Sequence, residues 1–173
     1  MSKQTISLNG IWKLKGNGAD NASKIDINAT VPGHVHNDLL NAGLIADPFW
    51  RDQAEQCQWI EHRQWTYTRE FDVDPDFIKD WTEIEFQGLD TYAAITLNGK
   101  VLAETDNMFV PHSFDVSSII SLGINHIEVS FMPVAEGVGD KPVGDYVSCF
   151  SSDRVYTRRM QCTYSWDWVH RFV

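Results

Sequence analysis

Cysteine is scarce in this chain of 173 residues: Cys57, Cys149 and Cys162 stand far apart, odd in number and without a Cys-x-x-Cys pair. That argues against a disulfide framework and against a zinc site built on thiolates, and the three thiols are expected to be reduced and inert. Basic residues are few as well, 14 Lys and Arg against 24 Asp and Glu, for a net charge of -10. A surface of that sign cannot displace counterions from a phosphate backbone and is repelled by anionic lipid, so neither nucleic acid nor a membrane is the expected partner. No apolar run approaches the ~20 residues of a membrane span. The stretch from Met1 to Leu8 lacks the apolar centre of a signal peptide, which makes a cytoplasmic location the default expectation. A longer parent could be exported if residues had been removed upstream. The phosphate-binding loop, the dinucleotide fingerprint and the Gly-x-Ser-x-Gly elbow are all missing.

What is present is a core. The chain is 43% apolar and 12% aromatic with seven Trp, enough to bury one domain and too short for several. The dominant pattern is alternation, which means strands with one buried face. Ile25, Ile27, Ala29 and Val31 alternate with Asp26, Asn28 and Thr30; Trp65, Tyr67 and Phe71 with Thr66, Thr68 and Glu70. Ile84 and Phe86 alternate with Glu83 and Glu85, and Ile127, Val129 and Phe131 with His126, Glu128 and Ser130. Arg69 is the one polar residue on an apolar side. Trp12 and Leu14 form a short strand after the Asn9-Gly10 turn, and Asn98-Gly99 between Ile95–Leu97 and Val101-Leu102 reads as a tight hairpin. Helical signal is thin: His36 to Ala42 closed by Gly43, a turn after Pro75 entered through Asp74, and Ser117 to Ile120. Glu136 to Asp145 reads as a long loop. Many short strands with little helix predict an all-β fold, an antiparallel β-sandwich of the jelly-roll kind with one or two short helices, in a single domain over 1–173.

Several strings are more specific than the alternation. They are Val31-Pro32-Gly33-His34-Val35-His36-Asn37-Asp38-Leu39-Leu40 running on to Asp47-Pro48-Phe49, Gln58-Trp59-Ile60-Glu61, Phe86-Gln87-Gly88-Leu89-Asp90-Thr91, Leu97-Asn98-Gly99, Asp106-Asn107-Met108-Phe109, and Gln161-Cys162-Thr163-Tyr164-Ser165-Trp166-Asp167-Trp168. In that order, over Leu8 to Trp168, they resemble the N-terminal sugar-binding domain of the β-mannosidases of glycoside hydrolase family 2. The resemblance implies a galactose-binding-like jelly roll at the front of a retaining exo-glycosidase that removes terminal β-D-mannose. The two catalytic glutamates of that family sit on a later (β/α)₈ barrel, a fold of about 250 residues, so no catalytic residue is expected in this chain, which alone should be inactive. No cofactor or metal is implied. The expected partners are a β-mannoside or related β-glycoside and, within one polypeptide, the barrel. The abrupt ending Val169-His170-Arg171-Phe172-Val173, with no turn signal or polar tail, predicts a piece cut from a longer chain.

Carried over by the resemblance, Asp167 is the carboxylate lent to the pocket for the terminal sugar, with Trp166 and Trp168 as supporting wall. An Asp between aromatics suits a hexose, since it accepts hydroxyl hydrogens while a ring packs on the sugar face. In the bland alternative both Trp anchor the core and Asp167 is a surface carboxylate. The usual Gly-Pro after this motif is replaced by Val169-His170, which leaves the path of the following residues open. His34 and His36 share a strand face at a spacing metals use, but without a third ligand they are expected to order the turn into the helix. Asp47 to Arg51 and Gln58-Trp59 offer an alternative role lining the approach to the active site, but aromatic loop packing is the expected one. Asp72, Asp74, Asp76 and Glu83 approach a calcium loop, yet Phe77 occupies the position that needs Gly, so a solvated acidic turn is expected. Alternatives left open are another family 2 glycosidase acting on β-galactosides, β-glucuronides or glucosaminides, a free-standing carbohydrate-binding module, and a structural domain without sugar contact.

Overall fold

The computed structural model describes residues 4–17, 24–78 and 81–138. Within these residues eight strands run as β1 (Gly10–Asn17), β2 (Ile25–Val31), β3 (Gln64–Val73), β4 (Glu83–Phe86), β5 (Ala93–Leu97), β6 (Lys100–Thr105), β7 (His112–Asp115) and β8 (Gly123–Phe131). Among the described residues the helices are short: α1 (Val35–Asn41), α2 (Gln53–Gln56), a 3₁₀ helix (Gln58–His62) and α3 (Val134–Val138). None of them is long and apolar enough to cross a membrane.

All strand pairs are antiparallel. Six strands form one sheet in the order β2-β1-β3-β8-β5-β6, and β4 pairs with β7 in a second. The alternation read from the sequence sets which face is inside. Trp12 and Leu14 of β1 are buried between exposed Ile11, Lys13 and Lys15, and Ile84 of β4 between exposed Glu83 and Glu85. One core cluster lies between the sheets, where Trp12, Ile95, Leu97, Ile127 and Val129 meet Ile84 and Val116. The other lies under β1, β2 and β3, where Leu14, Ile25, Ala29 and Trp65 are covered by Leu39 of α1 and by Cys57 and Ile60. The helical segments therefore serve as the second layer over the part of the large sheet that β4 and β7 do not reach.

Arg69, the polar residue on the apolar side of β3, reaches past the core to the N-terminal segment. Its Nη1 donates to the carbonyls of Leu8 at 2.8 Å and Asn9 at 2.9 Å. The Asn98-Gly99 hairpin is present, both residues at positive φ (51° and 76°), and Asn98 Nδ2 donates to Asn125 Oδ1 at 2.7 Å.

Some local expectations change. The single turn expected after Pro75 is present, closed by the Phe77 N–H on the Asp74 carbonyl at 3.0 Å, whereas Ser117–Ile119 is a turn without the length to repay helix nucleation. α1 begins at Val35, so His36 lies in a helix and not on a strand. Residues Val134–Val138 take a helical turn where a loop was expected from Glu136 onward. α2 and the 3₁₀ helix, four and five residues long, carry no repeat of apolar spacing that would announce them.

Candidate functional site

The segment from Val31 to Trp65 holds a buried carboxylate and a set of tryptophans on one side of the large sheet. The His34 carbonyl accepts the N–H groups of Asn37 at 3.1 Å and Asp38 at 3.3 Å, which starts α1 and turns Asp38 inward. Asp38 is 4% exposed. Its Oδ1 accepts the Thr30 N–H at 2.9 Å, which ties α1 to the end of β2. The Tyr67 hydroxyl of β3 is its side-chain hydrogen-bonding neighbour. Oδ2 is buried and finds no hydrogen-bond partner among the described residues. Burial pushes the Asp38 carboxyl above the usual aspartate range, opposed by the Thr30 N–H, the nearby His34 and Tyr67. The Tyr67 hydroxyl is pushed up too, first by burial and then by the Asp38 charge. Asp38 thus makes ionisation of Tyr67 harder, whereas the Tyr67 hydroxyl favours the charged carboxylate and offsets only part of the effect of burial on Asp38. The sequence pattern hid both: Asp38 reads as a polar helix residue, and Tyr67 as one more apolar position in β3. Asn125 was findable, being the polar member of the inward face of β8 shared by Ile127 and Val129.

The rings of His34 and His36 are 5.8 Å apart and tilted by 59°. Among the described residues no three His, Cys, Asp or Glu side chains gather as a metal site. Asp72 and Glu83 of the calcium-like run fall on strands of different sheets, β3 and β4.

The tryptophans divide into packed and displayed. Trp65 is 5% exposed, donates from Nε1 to the Ile60 carbonyl at 2.9 Å, and lies 6.2 Å from the ring of Trp59. The Arg63 guanidinium stands 4.8 Å over Trp59. The loop after α1 is pinned by Asp47, whose Oδ1 accepts the Phe49 N–H and whose carbonyl accepts the Trp50 N–H, both at 3.0 Å. Pro48 is buried and Phe49 half-buried, as expected for a packed loop, but Trp50 is 63% exposed. The turn that seats Pro48 inward carries the next indole outward, with the Arg51 guanidinium 5.5 Å from its ring. Trp166, Asp167 and Trp168, like Cys149 and Cys162, lie outside the described residues.

A two-layer antiparallel jelly roll with a helical flap over one half is the architecture of a galactose-binding-like domain. The glycosyl hydrolase 2 galactose-binding domain-like family model matches residues 12–173, and the chain belongs to that family. It is similar to β-mannosidases over most of its length. A β-mannosidase of Bos taurus is 35% identical over 182 residues, covering 97% of this chain and 20% of that protein. The crystal structure of a β-D-mannosidase from Dictyoglomus thermophilum is 36% identical with a TM-score of 0.77, over 94% of this chain and 20% of its own. A β-glucuronidase from an uncultured Clostridium sp., 22% identical with a TM-score of 0.53 over 72% of this chain and 21% of its own, shares the fold. The chain thus corresponds to the N-terminal domain of β-mannosidase-like proteins and spans 20% of the length of the relatives it matches.

Proposed function

We propose that this chain is the non-catalytic sugar-side domain of a retaining exo-β-mannosidase, which hydrolyses terminal β-D-mannose with glutamates on a separate barrel. Asp167 enters the pocket for the terminal sugar, flanked by Trp166 and Trp168, and the sandwich supports the barrel within one polypeptide. The observation that carries this reading is the contrast in similarity. Identity is 36% over 94% of the chain for a β-mannosidase, against 22% over 72% for a β-glucuronidase. The acidic surface, net charge -10, suits a neutral sugar better than a uronate. A retaining hydrolase needs two carboxyl groups about 5 to 5.5 Å apart across the scissile bond, and one donated aspartate serves binding, not bond cleavage.

The test is Asp167→Ala in a longer enzyme that carries this domain ahead of its barrel. Loss of a carboxylate that holds the reacting sugar should lower kcat/KM for p-nitrophenyl β-mannoside by roughly 100-fold. Activity within a few-fold of the unsubstituted enzyme would return Asp167 to a surface role.

A further inference from the structure

The loop after α1 presents one tryptophan that the core does not use. Trp50 is 63% exposed, while Pro48 before it is buried. Its backbone is held from both sides, by the Asp47 carbonyl accepting its N–H at 3.0 Å and by the Gln53 N–H donating to its carbonyl at 3.2 Å. The ring is therefore displayed by a fixed turn. Arg51, at φ 53°, folds its guanidinium to 5.5 Å from the indole centroid. Next along the loop stand exposed Asp52 and half-buried Gln53.

An exposed flat ring with a guanidinium over it and an exposed carboxylate two residues on in the chain matches one pyranose. The apolar CH face of a sugar covers the indole, and its hydroxyls meet the guanidinium and the carboxylate. A protein partner calls for a contiguous apolar patch, whereas the residues that follow Trp50, Arg51 and Asp52, are exposed and charged. An anionic sugar is opposed by the net charge of -10.

Resting on the mannoside reading above, we propose that Trp50 is a stacking platform for a sugar of a neutral β-mannoside chain, with Arg51 and Asp52 as partners for its hydroxyls. In that reading the terminal sugar is held by Asp167 with Trp166 and Trp168. The ring Trp50 takes is a later one, so Trp50 sets preference for chain length and not for the terminal hexose.

The chain labelled with 5-fluorotryptophan gives one ¹⁹F resonance for each of its seven Trp, and the spectrum of Trp50→Phe assigns the Trp50 signal. Titration with mannotetraose should shift that signal and saturate in the millimolar range, the affinity of a single stacked contact. In Trp50→Ala, the mannotetraose-induced shifts of the Arg51 and Asp52 amides should need about 10-fold more ligand. Movement of other indole signals with Trp50 silent overturns the platform and leaves the mannoside reading standing. A Trp50 response to cellotetraose with none to mannotetraose supports a sugar platform and overturns the mannoside reading. No response of any indole to either oligosaccharide overturns the inference.

Discussion

Gly16 offers a sharp test of how the flap side of the sheet is packed. It lies in β1 directly opposite Trp65 of β3, and the indole lies across it. A Cβ added at Gly16 would stand 2.6 Å from Cζ3 of Trp65, 3.1 Å from Cη2 and 3.2 Å from Cε3. The ring cannot slide away cheaply, because it is 5% exposed and its Nε1 is fixed on the Ile60 carbonyl at 2.9 Å. Replacing glycine by alanine in a strand gains about 0.5–1 kcal/mol from backbone entropy. Forcing a methyl into a packed core costs about 1–3 kcal/mol. The cost outweighs the gain, and Gly16→Ala should be less stable by about 1–2 kcal/mol. For a chain of this size that lowers Tm by roughly 2–8 °C. Thermal and urea unfolding followed by circular dichroism would measure it. The partner variant Trp65→Phe removes the fused ring that the methyl strikes, so in that background Gly16→Ala should cost nothing or stabilise slightly. A Gly16→Ala protein that melts at or above the parent, or an equal loss in both backgrounds, would refute the reasoning.

Asp38→Asn should be as stable as the parent at pH 7 or about 1 kcal/mol more stable, since it removes a buried charge and keeps the acceptor for Thr30. Burial raises the folded-state pKa of Asp38 above its ordinary 3.8. Its stabilising contribution is therefore full below that value and lost as pH climbs through the raised one. Stability of the parent relative to Asp38→Asn should fall from pH 3 to pH 7 in urea titrations, and a pH-independent difference would contradict the account. Asn125→Leu should cost at least about 3 kcal/mol, because it strands several polar groups at once. Nδ2 of this fully buried residue donates to the carbonyls of Ser121 at 2.7 Å and Gly123 at 2.9 Å, while Oδ1 accepts from Asn98 Nδ2 and the Ser121 N–H. Chemical denaturation that shows a loss under 1 kcal/mol would mean that these bonds add little.

The antiparallel strands, their inward faces and the Asn98-Gly99 hairpin were legible in the sequence, because each depends on neighbours two residues apart or on one turn. Alternation in Ile25–Val31, Gln64–Phe71 and Ile127–Phe131 leaves one arrangement that buries the apolar side. The family was legible too, from ordered strings of specific residues. Trp50 and Trp65 illustrate the limit. Both sit in aromatic stretches of similar composition, yet one is displayed and the other sealed beneath the flap. That difference is set by where the Asp47 turn points and by the opening that Gly16 leaves in β1, neither of which is a local property. Asp38 makes the same point, since α1 places it and β2 and β3 give it its partners and its burial. The sequence by itself determined the strands, their inward faces and the family; tertiary structure decided that Asp38 is buried and Trp50 displayed. Periodicity is written within a strand, while burial depends on what distant segments lay over it.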